Sequence, residues 1–158
     1  MSRMDESLND NHTSAPFAVI VLPVAVALHI AEEWFAGLID WASLFLDINI
    51  GAERFLTINM IGVVLFIIGA ASAYHEPRAA WIGVSLAALI GLNAVAHTVL
   101  SVAVGAYSPG TITGLFLYIP LCIIIFRWAA AHQPRSVIVG SILFGISIHA
   151  VATLSATQ

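Results

Sequence analysis

The chain contains no lysine, one cysteine and few charges of either sign: charged residues fill 9% of its 158 positions, against roughly 25% in a soluble domain. Each shortage excludes something. With five arginines against nine carboxylates the net charge is −4, so no basic surface exists to hold a nucleic-acid backbone. Cys122, in "PLCIIIF", has no second cysteine to bridge to and reads as a small packing residue. What is abundant is apolar. Hydrophobic residues make up 60% of the chain and the mean hydropathy is +0.98, which places it among integral membrane proteins, with the lipid bilayer as its first partner.

The first stretch, "MSRMDESLNDNHTSAP", is polar and acidic and lacks the basic flank, short apolar core and small-residue cleavage site of a signal peptide. Residues 1–16 therefore read as a disordered head, and 17–158 as one transmembrane helical domain. A hydrocarbon core of roughly 30 Å needs about 20 apolar residues per helix. Five runs meet that length, near 17–38, 54–74, 79–104, 111–131 and 136–156. Pro16, Pro77 and Pro134 stand where helices begin, since the first amides of a helix need no partner. Pro23 and Pro120 fall inside spans, where each frees the carbonyl four residues earlier and opens a kink.

The fold class is thus an all-α bundle of about five transmembrane helices. The segment after the first span, 39–53, interrupts apolar residues with Asp40 and Asp47 and carries Trp41 and Phe45, so it is interfacial or re-entrant. With five spans, Arg3, Arg78, Arg127 and Arg135 fall on one side and Arg54 alone on the other. The positive-inside rule then puts the amino terminus in the cytoplasm and the carboxyl terminus outside.

Within this apolar chain "HIAEE" is anomalous. His29, Glu32 and Glu33 are spaced i, i+3 and i+4, so a helix presents all three on one face, where they are expected to converge. An ionised side chain at mid-membrane costs about 2.5–3.5 kcal/mol on insertion scales. Protonation, a cation or donors from other helices must offset two of them. Candidate partners follow along the chain. The third span offers Asn93 and His97 at i, i+4, the fifth His149 and the second Asn59; Tyr107 lies in "AYSPGTIT" between the third and fourth spans. The five-span topology puts all of these in the outer half of the membrane. Each has a plainer role as well. Asn93 suits an interhelical hydrogen bond, His149 a packing contact, and Tyr107, Pro109 and Gly110 a turn that starts the next helix.

"HIAEE", "NAVAH" and "YSPG" match in order the HxxEE, NxxxH and YxPG motifs of the HXXEE-domain membrane proteins, which the chain resembles over nearly all of its length after the head. That is a family of small bacterial and archaeal membrane proteins, so the resemblance implies the plasma or inner membrane of a prokaryote. It marks His29, Glu32, Glu33, Asn93, His97, Tyr107, Pro109 and Gly110 as family-defining positions and implies no reaction.

Two chemistries fit such a layer. Imidazoles of His29, His97 and His149 with a carboxylate of Glu32 or Glu33 are the ligand types of catalytic zinc or non-haem iron, with the spare glutamate as general base. Alternatively, Glu32, Glu33, His29 and His97 act without metal, as acid and base on a lipophilic small molecule such as an isoprenoid or sterol-like olefin. The residues do not choose among a hydrolase, an isomerase and an oxidoreductase. The rival class is a proton- or ion-coupled transporter. No inverted repeat supports it, and the polar layer fills one half of the membrane, although a homo-oligomer could complete a path.

Overall fold

The computed structural model describes residues 15–156; the polar head expected over 1–16 lies almost wholly outside them. Among the described residues all regular structure is helical, in the order α1 (Ala18–Phe35), α2 (Leu38–Leu46), α3 (Ala52–His75), α4 (Ala80–Val104), α5 (Thr111–His132) and α6 (Arg135–Ala156). Five of these, all but α2, are long and apolar enough to cross a membrane. The proline signals hold where they can be checked. Pro77 opens a 3₁₀ turn, Pro77–Ala79, that leads into α4, and Pro134 immediately precedes α6.

Helix α4 is the centre of the bundle and touches α1, α3, α5 and α6. Its most apolar stretch is half buried, against about a tenth for α6, so the other helices show lipid the faces that they do not turn to α4. Leu22 and Val19 of α1, Val84 and Ile90 of α4 and Ile125 of α5 are fully enclosed. Because lipid is as apolar as leucine, these contacts are held by close packing more than by the hydrophobic effect. Gly145 shows how close. A Cβ there would strike the Ser85 carbonyl and sit 2.9 Å from the Ala88 Cβ, so α6 lies on α4 because this position has no side chain.

Two departures from the sequence reading bear on function. The first span ends at Phe35, where the run to residue 38 had been expected, because Gly37 takes a left-handed φ of +78° and turns the chain into α2. At nine residues α2 is about 14 Å long, too short to span, with Trp41 and Ala42 buried and Leu44 exposed. Second, α5 is not uniformly α-helical: Gly114–Tyr118 form a π turn directly before Pro120. Pro120 has no N–H for the Phe116 carbonyl and its ring crowds that oxygen, and widening the helix by one residue relieves both.

Candidate metal centre

His29 and Glu33 lie one turn apart on α1, and His97 faces them from α4; all three are buried, with 2%, 6% and 7% of their surfaces exposed. Glu33 Oε1 is 3.3 Å from His29 Nε2 and 3.1 Å from His97 Nε2. The three ligand atoms all fall within 4.8 Å of one another. Tetrahedral zinc with bonds of about 2.0–2.1 Å sets its ligand atoms roughly 3.3 Å apart, so two of the three separations already have the length that a shared ion requires.

The far nitrogens of both imidazoles are tied down by hydroxyls of the next loop and helix. His29 Nδ1 is 2.7 Å from Thr113 Oγ1, and His97 Nδ1 is 3.1 Å from Ser108 Oγ. The Thr113 hydroxyl donates to the Gly110 carbonyl at 3.4 Å, which leaves it to accept from the His29 Nδ1–H. In that tautomer His29 Nε2 carries a lone pair, and among the described residues this buried nitrogen has no hydrogen-bond partner. A lone pair and a carboxylate oxygen 3.3 Å apart repel unless something positive lies between them. Histidine ligands of metals are oriented in this way, through the second ring nitrogen.

The two glutamates, expected to act on one point, are divided. Glu32 turns away from the cluster and receives the chain reversal before α5. Its Oε1 accepts from Gly110 N–H at 2.9 Å, Ile112 N–H at 3.0 Å and the Tyr107 hydroxyl, and its Oε2 accepts from Thr113 N–H at 2.7 Å. The free amides at the start of α5, with the Tyr107 hydroxyl, therefore satisfy the Glu32 carboxylate with hydrogen bonds. Glu32→Gln is expected to lower stability by about 2–4 kcal/mol, since charge-assisted bonds exceed neutral ones, yet to leave ion binding intact. Glu33→Gln should do the reverse. Thermal unfolding in detergent and metal content, measured on both variants, separate the two roles.

Tyr107 lies between α4 and α5 and is 45% exposed. Partial burial, and then the hydrogen bond to the Glu32 carboxylate, push its phenol up to about 12. Because the folded value exceeds the ordinary 10, the clasp is intact below pH 10 and is lost as pH rises through about 12. An ultraviolet titration should show a late-ionising tyrosine that is missing in Tyr107→Phe.

The reversal also roofs the cluster. Gly110, at φ +102°, packs against both imidazoles: a Cβ on it would lie 2.8 Å from His29 Cε1 and 3.0 Å from His97 Nε2. Ser101 and Thr111 brace the roof, their hydroxyls 2.8 Å apart, with Ser101 Oγ accepting from Ser108 N–H at 2.9 Å. Ser108 and Thr113 were not assigned a role from sequence although Ser108 lies within the "YSPG" motif and Thr113 three residues after it; polar residues in and beside a motif turn were the available signal.

Other expected members stay apart. His149, half-buried on α6, is not among the converging ligands. Asn59 donates back to the Phe55 carbonyl on its own helix at 3.0 Å. Asn93 does not make the interhelical bond expected of it, and its buried Oδ1 has no partner among the described residues. Tyr118, unremarked in the sequence, stacks on the His29 ring with centroids 4.5 Å apart and planes 29° from parallel.

Comparison with known proteins agrees with the motifs. No curated protein and no solved structure matches the chain significantly. A family model described as "Protein of unknown function with HXXEE motif" matches residues 20–125, and its namesake residues are His29, Glu32 and Glu33. That match takes in α1 through most of α5, which includes the whole cluster and its roof, and on it the chain belongs to the HXXEE family.

Proposed function

We propose that this protein is a membrane-embedded metalloenzyme acting on a lipophilic substrate, with His29, Glu33 and His97 holding one divalent ion. The observation that carries the reading is the buried, unpartnered His29 Nε2, set 3.3 Å from a carboxylate oxygen that His97 Nε2 also approaches. Two imidazoles and one carboxylate are the donor set of catalytic zinc in hydrolases and of non-haem iron in oxygenases, and three protein ligands leave a further position for water or substrate. An ion there supplies a Lewis acid and an activated water; the chain's own contribution is orientation by Thr113 and Ser108 and exclusion of solvent by the roof. Metal analysis of purified protein beside His29→Ala tests this directly.

The degree of enclosure favours a second reading, an occluded ion or proton site in a transporter, because the three side chains are almost sealed from solvent. Uptake assays in proteoliposomes decide it: ion flux that depends on Glu33 would replace the enzyme reading. In either case the arginine distribution puts the amino terminus in the cytoplasm and the site toward the outer face. A reporter fused after Gln158 should be active outside only, and cytoplasmic activity would overturn that orientation.

A further inference from the structure

A groove of about 400 Å³ runs along one flank of α5, lined by Ile119, Cys122, Ile123, Phe126, Arg127 and Ala130. Apart from Arg127 the lining is apolar, because the Cys122 thiol is taken by the Ala87 carbonyl of α4 at 3.0 Å. The positions recur at three and four residues, which makes them one stripe of the helix. From Ile119 to Ala130 an α-helix rises about 16 Å, half of a hydrocarbon core of roughly 30 Å. The groove is therefore as long as one leaflet is deep, and Ile123 within it is 53% exposed.

Arg127 is out of place in such a stripe. It is exposed, lies inside the span rather than past its end at His132, and no described carboxylate pairs with it. Successive spans alternate in direction, so the end of α5 lies on the same face as the turn between α3 and α4 and the start of α6. Among the described residues that face carries Arg78, Arg127 and Arg135 against one carboxylate, Glu76, which already accepts from the Arg78 N–H at 3.2 Å. Trp128, beside Arg127, stacks on His132 with centroids 5.5 Å apart. Indoles settle at the level of the lipid headgroups, and a guanidinium on its long stem reaches the same level. An unpaired arginine facing lipid calls for an anion, and the groove below it calls for a chain.

We propose that this groove holds one anionic phospholipid, with its phosphate on the Arg127 guanidinium and an acyl chain along the stripe from Phe126 to Ile119. A planar guanidinium suits a phosphate, and basic pockets on the positively charged face of a membrane protein hold such headgroups. The site lies at the far end of α5 from the Gly110 roof, so it stands whatever His29, Glu33 and His97 do.

The test is native mass spectrometry of the full-length protein released from detergent with equal amounts of phosphatidylglycerol and phosphatidylcholine of the same chains. Both offer a phosphate, but only phosphatidylcholine carries its own cation, so wild type should retain phosphatidylglycerol at least about fivefold more. Arg127→Gln should remove that preference. Arg78→Gln, on the same face but outside the groove, should keep it. Ile123→Trp, which fills the groove and leaves the charge, should lower retention of both lipids about tenfold, whereas Ile68→Trp, similarly exposed on α3, should not. Free glycerol phosphate should fail to displace the lipid; displacement would make this a site for the phosphate alone. Equal retention of the two lipids by wild type, or equal loss in the two arginine variants, overturns the proposal. If wild type is instead a dimer that Ile123→Trp separates, a second copy of the chain fills the groove and the proposal fails.

Discussion

Replacing His29 or His97 by alanine is expected to reduce bound divalent metal from close to one ion per chain to near zero. The magnitude follows from the geometry. Loss of an outer partner such as Thr113 typically costs 10–100-fold in affinity, and removing a directly coordinating imidazole must cost more. Two ligands remain in either variant, too few to hold an ion through dialysis against a chelator. The variants differ in what they leave behind. Without His97, Glu33 and His29 remain on one helix turn, 3.3 Å apart, as a local pair. Without His29, the Thr113 hydroxyl loses its imidazole and Tyr118 loses the ring on which it stacks, so α1 and α5 loosen as well. His29→Ala should therefore lose more thermal stability than His97→Ala at the same loss of metal. Elemental analysis and unfolding curves on the two variants check both halves. Wild type that retains no divalent ion after metal-supplemented purification would leave the cluster to acid–base chemistry alone.

How much of this was legible beforehand depends on the range of the interactions. The spans were readable because each depends only on an unbroken apolar run, and the membrane leaves a helix little alternative. The meeting of His29, Glu33 and His97 was readable too, because i, i+4 spacing fixes one pair and the cost of burying charge forces the third element to answer it. The division of labour between Glu32 and Glu33 was not. Adjacent residues on a helix point about 100° apart, so which one meets the histidines depends on where the Tyr107–Thr113 reversal comes down, and no local pattern sets that. Glu32 faces that reversal and is used by its amides. His149 is outside the group of three ligand atoms, and a lone histidine on a span carries no spacing signal: whether its helix turns it toward the centre is decided by packing such as that of Gly145 against α4. Tyr118 gave no signal because its orientation follows from a π turn, a consequence of Pro120 that helical periodicity cannot anticipate.

Gly110→Ala should disable the site without altering any ligand, and it should do so by two separable effects. The backbone at residue 110 has φ +102°, a region that L side chains rarely adopt, and occupying a left-handed conformation costs a non-glycine residue about 1–2 kcal/mol. The new methyl would also lie 2.8 Å from His29 Cε1 and 3.0 Å from both Cε1 and Nε2 of His97, so one ring or the roof must move. Overpacking of this kind costs about 1–3 kcal/mol more. The rings cannot yield freely, being held by Thr113 and Ser108, and a few tenths of an ångström at Nε2 are enough to spoil bonds of about 2 Å to an ion. Gly105→Ala separates the effects. Gly105 also has a positive φ, +66°, but nothing lies within 4 Å of the Cβ position, so that variant bears the backbone strain alone. Gly105→Ala is expected to lose modest stability and keep its metal, whereas Gly110→Ala loses about 2–5 kcal/mol and releases the ion. Equal metal content in the two variants would show that the roof does not rest on the imidazoles, and the enclosed centre would then have to be redrawn with an open outer face.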